Sequence, residues 1–209
     1  RIDRTRNLAG RVFSNLIYNN EFSIDKNNPS LAKILKSIFT HEICANIDWN
    51  LAHATLPLFV KLINIDEFQL NILAGFVFSI GSLTESLVKP AEQFLIKELK
   101  LIEKENEKVY DSIINKFYNL CKINLIQQNT TTTTSNSSVG ANSLNEYRLG
   151  TSLIKAFDLI IQNNLSIKNL EEFSEIFLTN VKQTKDMTKL CFYVDLFCDI
   201  LLKVVNENG

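Results

Sequence analysis

Two apolar runs joined by a short polar turn form the strongest hydrophobic pattern in the chain, and together they span residues 66–103. In each run large apolar residues recur every three or four positions, the spacing that places side chains on one face of an α-helix. Gly81 can adopt the left-handed backbone conformation that ends a helix, and the hydroxyl of Ser82 or Thr84 can cap the next one. Leu83 is the first apolar residue of the second stripe. The pattern predicts an antiparallel helical hairpin that needs neighbouring helices to cover its apolar faces.

Helical spacing of apolar residues recurs along most of the remaining chain. Pro29 fits the first position of a helix, and Asn50 and Asp66 are predicted N-caps. Pro57 is predicted to kink the helix that contains it, and Pro90 to bend or divide its helix. The helices predicted in addition to the hairpin cover residues 1–18, 29–39, 50–64, 109–125, 144–162, 169–182 and 184–205, with a connection at residues 41–48.

No segment alternates apolar and polar residues in the way of a β-strand, so the fold class is predicted to be all-α. Helix pairs recur about every forty residues, the spacing of HEAT and armadillo units, which favours stacked helical hairpins, an α-solenoid, over a four-helix bundle. An irregular globular helical domain is the alternative. The 209 residues are expected to form one domain of a longer chain, because the sequence opens on Arg1 without a methionine or a signal-like run.

One segment departs from the helical pattern, at about residues 128–143, where Thr, Ser, Asn and Gly replace the apolar residues. Such a composition cannot bury enough apolar surface to offset the entropy that is lost when a segment is ordered. The segment is therefore predicted to be a disordered surface insertion.

Charge and composition argue against several classes of function. The net charge of −1 gives no overall field that would attract nucleic acid or an anionic membrane. No apolar run reaches the roughly 20 residues that cross a bilayer, so the chain is expected to be soluble. Its four cysteines lack C-x-x-C pairing and are expected to be free thiols in the cytosol.

Residues with reactive side chains are sparse. Four side chains that can bind zinc occur close together in the sequence: His41, Cys44, Asp48 and His53. Their spacing matches no common zinc motif, so surface histidines are the favoured interpretation. Cys191 and Cys198 share one apolar face and are predicted to be buried in the core. Because the chain has neither a glycine-rich phosphate loop nor a G-x-S-x-G motif, we expect no catalytic residue, no cofactor and no metal.

Arginine is concentrated at the start of the chain. Four of the five arginines are Arg1, Arg4, Arg6 and Arg11. Their planar guanidinium groups could hold the carboxylates of an acidic protein surface through paired hydrogen bonds. The alternative is that they form salt bridges with preceding chain or are simply solvated, since most surface charges have no binding role.

The turn of the hairpin and the single tryptophan also allow two interpretations. In the first interpretation Thr84 and Ser86 merely cap the second helix, and Glu85 is favourably placed in its first turn. In the second, the turn presents Glu85 to a partner. Trp49 is better explained as an anchor between helices than as an exposed contact, although interfaces favour tryptophan.

Three blocks resemble, in order, the C-terminal domain of the tubulin-folding cofactor D family. They are Arg1-Ile2-Asp3-Arg4 with Arg6 and residues 12–17, then residues 47–49 followed by 76–86, and finally residues 144–146 with 153–158. The most specific part is Leu83-Thr84-Glu85-Ser86. The chain departs from the family at Ser82, where a second glycine is usual, at the insertion, and in a shortened loop at residues 19–29 that the family tends to make proline-rich.

The resemblance implies a cytoplasmic, cytoskeleton-associated chaperone of HEAT-like repeats that binds β-tubulin and, with cofactors C and E, assembles and disassembles the αβ-tubulin heterodimer. It also implies that the assembled complex stimulates GTP hydrolysis by tubulin and that a small Arf-like GTPase is a partner. The residues expected to contact partners are Arg4, Arg6, Arg11, Trp49, Thr84, Glu85 and Ser86. The alternative is a purely structural end of a helical-repeat scaffold that makes no direct contact with tubulin.

Overall fold

The computed structural model describes residues 2–18, 28–126, 141–163, 165, 170–183, 187, 190–191, 193–195, 197–198 and 202. Within these ranges the regular structure is helical and contains no strand, which confirms the all-α prediction. Stacking into a solenoid stays a prediction. The α-helices are α1 (Ile2–Tyr18), α2 (Pro29–Ile38), α3 (His41–Asn46), α4 (Ala52–Val60), α5 (Asp66–Ile80), α6 (Glu85–Glu105), α7 (Glu107–Cys121), α8 (Ala141–Gln162) and α9 (Leu170–Gln183). A 3-10 turn (Lys61–Asn64) follows α4, and a π-helical turn (Lys122–Ile126) follows α7.

The chain forms two compact units, which we call unit 1 (Arg1–Leu62) and unit 2 (Ile63–Gly209). In unit 1, α1 packs against α2 and α3. In unit 2, α5 packs against α6, α7 and α8, so the central hairpin α5–α6 has the neighbours that its two apolar stripes require. That these units belong to one domain of a longer chain stays a prediction.

Two helix starts in unit 1 follow from short polar side chains. Asn28 accepts a hydrogen bond from the Leu31 backbone N–H at 3.1 Å, and Pro29 occupies the first turn of α2 as predicted. Thr40 accepts a bond from the Ile43 N–H at 3.3 Å and starts α3. The prediction that residues 41–48 form only a connection is therefore wrong, because the Thr40 cap stabilises a short helix there.

Asn50 and Asp66 do not act as N-caps, so both predictions are wrong. Asn50 donates its backbone N–H to the Asp48 carboxylate at 3.0 Å, and α4 starts after Leu51 without a side-chain cap. Asp66 is the first residue of α5, where its carboxylate accepts a 2.6 Å hydrogen bond from Lys116. A carboxylate in the first turn stabilises the helix through its interaction with the helix dipole. Asp66 therefore marks the start of α5, as predicted, but one residue after the N-cap position.

Pro57 lies within α4 and Pro90 within α6, and both helices continue through them. Pro90 is buried. Helix α6 is therefore not divided at Pro90, and the bends at Pro57 and Pro90 stay predictions.

The core of unit 2 contains the residues that the helical spacing predicts. Fully or nearly fully buried side chains come from each of the helices α5 to α9: Leu73, Phe76, Val77 and Ile80 from α5; Leu95, Leu99 and Ile102 from α6; Ile113 and Phe117 from α7; Leu153 and Phe157 from α8; Phe173 and Phe177 from α9. Phe157 lies at the centre of an aromatic cluster, with ring centroids 4.6 Å from Phe173 and 4.9 Å from Phe177.

The C-terminal residues depart from the prediction. The described residues of the helix predicted at residues 184–205 are helical, but Cys191 and Cys198 are exposed, so their predicted burial is wrong. Tyr193 is buried instead, with its ring 6.1 Å from that of Phe177. Of the predicted insertion, residues 128–140 lie outside the described residues, and α8 already begins at Ala141.

Candidate partner-binding sites

The turn between α5 and α6 projects its residues into solvent. Leu83 is 93% exposed, more than any other large apolar side chain in the described residues. Thr84, Glu85 and Ser86 are exposed as well. The prediction that Leu83 starts the buried stripe of α6 is wrong, because α6 begins two residues later and its buried positions start at Pro90. The turn thus offers one apolar, one acidic and two hydroxyl side chains.

Local hydrogen bonds shape this turn without using its outer side chains. The Ser82 hydroxyl accepts the Thr84 backbone N–H at 3.2 Å, while Thr84, the N-cap residue of α6, makes no side-chain capping bond. Glu85 is in the first turn, where a negative charge is favourable. Of the two proposed caps, the structure therefore uses Ser82 to form the turn and leaves the Thr84 side chain exposed.

Gly81 fixes the turn against α8. Its φ of −78° lies in the right-handed region, so the predicted left-handed conformation is wrong. A side chain is excluded there for a different reason, since an added Cβ would come within 2.9 Å of the Ser152 Cα. Ser152 is buried in α8, and its side chain lies closer still to this position, so the backbone of the turn packs directly against Ser152.

The arginine cluster lies on α1. Arg11 is exposed, Arg6 is half-buried and interacts with other groups, and Arg4 is in the first turns of the helix. The same helix exposes three large apolar side chains that belong to the apolar stripe of residues 1–18: Leu8 at 63%, Val12 at 50% and Leu16 at 42%. Only part of the predicted apolar set faces the core, with Ile17 buried and Phe13 half-buried.

Trp49 is part of the core of unit 1. It is 8% exposed, and its ring centroid lies 6.3 Å from Phe13 and 6.3 Å from Phe59. Gly10 lies directly against the indole, because a Cβ at that position would overlap the ring. This placement agrees with the anchor interpretation and leaves little of Trp49 available to a partner.

The candidate zinc ligands are not brought together. Within the described ranges there is no group of three or more His, Cys, Asp and Glu side chains that could hold a metal ion. His41 packs edge-on against Tyr18, whose hydroxyl donates a 2.6 Å hydrogen bond to the Phe39 carbonyl. Burial raises the pKa of Tyr18, Cys44 adds to the rise and Lys36 opposes it. This cluster links α1 to the end of α2 and has a structural role.

No helix in the described part of the chain is long and apolar enough to cross a membrane. The one thiol buried there, Cys121, has its pKa raised by burial, which disfavours the reactive thiolate.

Sequence reasoning identified Thr84, Glu85 and Ser86 as candidate contacts. It did not predict that Leu83, which directly precedes them, is exposed. It also missed the exposed apolar face of α1. A signal for the first was available, since Leu83 precedes the predicted N-cap Thr84 and a residue outside the helix need not follow the stripe of that helix. For α1 the periodicity predicts which apolar residues share a face, but it does not report how many helices pack against that face.

No solved structure matches this chain. A family model described as "Tubulin folding cofactor D C terminal" matches residues 1–189, which include both the arginines of α1 and the α5–α6 turn. With nearly the whole chain matched, the protein belongs to the tubulin folding cofactor D C-terminal family.

Proposed function

We propose that this protein is a binding scaffold that holds β-tubulin and the partner cofactors C and E while the αβ-tubulin heterodimer is assembled and disassembled. Membership of a tubulin-folding cofactor family supports the general role. In this proposal the scaffold contributes no catalytic residue. It helps to stimulate GTP hydrolysis by tubulin within a larger complex, in which a small Arf-like GTPase is a further partner.

The exposed α5–α6 turn is the observation that carries the proposal. Leu83 contributes almost nothing to the core at 93% exposure, yet it lies in the block that most specifically resembles the family. Covering a leucine side chain at an interface would remove its apolar surface from water, which is worth about 1.5–3 kcal/mol. Glu85 beside it adds a charge that selects the partner's orientation.

The test is co-migration of the protein with purified αβ-tubulin on size exclusion at physiological salt. Leu83→Asp is the test variant, and Leu101→Asp is the matched control, because Leu101 is an exposed leucine, at 47%, near the far end of the helix α6 that follows the turn. Both variants replace an exposed leucine by the same charge. We expect wild type and Leu101→Asp to co-migrate with tubulin and Leu83→Asp to elute separately.

The same variants can be added to an assay of tubulin GTP hydrolysis that contains cofactors C and E. Loss of stimulation with Leu83→Asp, at an unchanged circular dichroism spectrum, would support the role of the turn. If folded wild-type protein and tubulin elute separately, the protein is a structural end of its scaffold and the tubulin contact lies elsewhere.

A further inference from the structure

Helix α1 carries a continuous apolar stripe on its solvent side. Leu8, Val12 and Leu16 follow one another at four-residue steps and are 63%, 50% and 42% exposed. Four-residue steps place side chains on one face of a helix. The opposite face is already used, because Gly10 lies against Trp49 and Ile17 is buried.

One edge of this stripe is basic. Arg11 is exposed and lies between Leu8 and Val12 in the chain. We call the side of the stripe that Arg11 occupies the arginine edge. In the sequence Arg4 precedes Arg11 by seven residues, which is two turns of an α-helix, and α1 contains a single acidic residue, Asp3. The α1 surface thus combines an apolar stripe with a positive border.

We propose that the α1 surface, made of Leu8, Val12, Leu16 and the arginine edge, binds an amphipathic helix of a partner protein whose apolar face is bordered by Asp and Glu. The apolar residues at four-residue spacing match the groove of a second helix. The guanidinium of Arg11 binds carboxylates through two parallel hydrogen bonds, which fixes the register of the two helices. This inference rests on the proposed scaffold function and names the chemistry of one of its partners.

Two other occupants fit the α1 surface less well. A membrane-bound helix buries a broad apolar face, whereas from Thr5 onwards, where its side chains are described, α1 exposes three large apolar residues and its other face packs in the core of unit 1. A second copy of the same surface would bring two arginine edges into one interface, where like charges repel. Charge complementarity therefore favours an acidic partner helix.

The test uses the full chain and two synthetic helical peptides about as long as α1. The first peptide has a leucine stripe bordered by Glu, and in the second each Glu is replaced by Lys. Binding is measured by fluorescence anisotropy of the labelled peptides at physiological salt. We expect the Glu peptide to bind at least about tenfold more tightly than the Lys peptide, and its affinity to fall as the salt concentration rises.

Matched variants locate the binding. Val12→Asp and Arg11→Glu should each weaken binding of the Glu peptide about tenfold or more. The controls are Leu70→Asp, at a leucine of α5 that is 44% exposed, and Lys33→Glu, at an exposed lysine of α2. Each control changes the charge as its test variant does and should leave the affinity within about twofold. An unchanged Trp49 emission spectrum in the variants verifies that α1 still packs against the indole.

Several outcomes would overturn the inference. Equal affinity for the Glu and Lys peptides would show a non-selective apolar patch, and equal weakening by the controls would place the binding elsewhere. Binding to anionic lipid vesicles that Val12→Asp abolishes, without peptide binding, would indicate a membrane contact. A concentration-dependent mass that Val12→Asp abolishes would indicate a second copy. If the Glu peptide binds but the protein does not co-migrate with tubulin, the proposed function is contradicted and this inference is not. If the protein binds tubulin, Val12→Asp does not weaken that binding and no peptide binds, this inference is contradicted and the proposed function is not.

Discussion

Aromatic rings form the core of both units, but they are buried to different depths. In unit 1 the cluster consists of Phe13, Phe39, Trp49 and Phe59, with Phe13 and Phe59 half-buried. In unit 2 it consists of Phe117, Phe157, Phe173 and Phe177, all of them at most 1% exposed. Since stabilisation follows the apolar area removed from water, equal truncations should cost more in unit 2.

The hydrogen bonds that polar side chains make between helices also differ between the two units. In unit 2 the Lys116 ammonium donates to the Asp66 carboxylate at 2.6 Å and to the Gln69 side-chain oxygen at 2.7 Å, and Ser112 donates to the same oxygen at 3.0 Å. These bonds join α5 to α7. In unit 1 the bond from the Tyr18 hydroxyl to the Phe39 carbonyl joins α1 to the end of α2. Unit 1 thus combines a partly exposed aromatic cluster with close packing of Gly10 against Trp49, whereas unit 2 combines deeper burial of its aromatic rings with a polar network between α5 and α7.

The largest expected effect is the truncation of the deepest ring. Phe157→Ala should lower the free energy of unfolding by about 3–5 kcal/mol, because Phe157 contacts three other buried rings, whereas Phe13→Ala in unit 1 should cost clearly less. Urea unfolding is followed by circular dichroism for the whole chain and by the emission of Trp49 for unit 1. Equal losses for the two variants would contradict the difference in burial.

Close backbone packing in unit 1 is tested at Gly10. Gly10→Ala should lower the free energy of unfolding by about 1–3 kcal/mol and shift the Trp49 emission, because the methyl group overlaps the indole. Gly75→Ala is the matched control within α5, where an added Cβ meets open space, and it should stabilise by about 0.5–1 kcal/mol. A destabilising Gly75→Ala, or a harmless Gly10→Ala, would be inconsistent with this geometry.

The polar network of unit 2 is tested at Lys116. Lys116→Met removes one of the two donors to the oxygen of Gln69, a residue only 2% exposed, and should cost about 1–2 kcal/mol in chemical denaturation. Asp66→Asn should cost no more than about 0.5 kcal/mol, since the Asp66 side chain is 80% exposed and its ion pair is screened by solvent. Similar costs for both variants would mean that the ion pair and not the buried amide matters.

The smallest expected effect appears only in alkali. Burial, with a contribution from Cys121, raises the pKa of Tyr193 from 10.0 to about 12. A phenol whose pKa is raised by folding stabilises the protein fully below pH 10, and this stabilisation is lost as the pH rises towards 12. Tyr193→Phe should therefore gain about 1 kcal/mol relative to wild type between pH 8 and pH 11. A pH-independent difference in the free energy of unfolding would refute the linkage.

The helices α5 to α9 of unit 2 were predictable because their periodicity is strong and each of them buries residues on the predicted side. Leu73, Val77, Leu99 and Phe157 are buried where the sequence places them. Helix ends were less predictable, since Asn50 and Asp66 have the side chains of N-caps but form other hydrogen bonds. Local chemistry permits several partners within a few ångströms, and the tertiary arrangement selects one.

The sequence alone determined that the chain is helical, which positions share a face, and the family to which the blocks around residues 1–17 and 76–86 point. Only the tertiary structure decided which of those faces are covered. Cys191 and Cys198 were predicted to be buried and are exposed, and Leu83 and Val12 likewise lie on the surface. The physical reason is that periodicity reports the angular position of a side chain about its own helix axis, whereas burial depends on which other helices pack against that side.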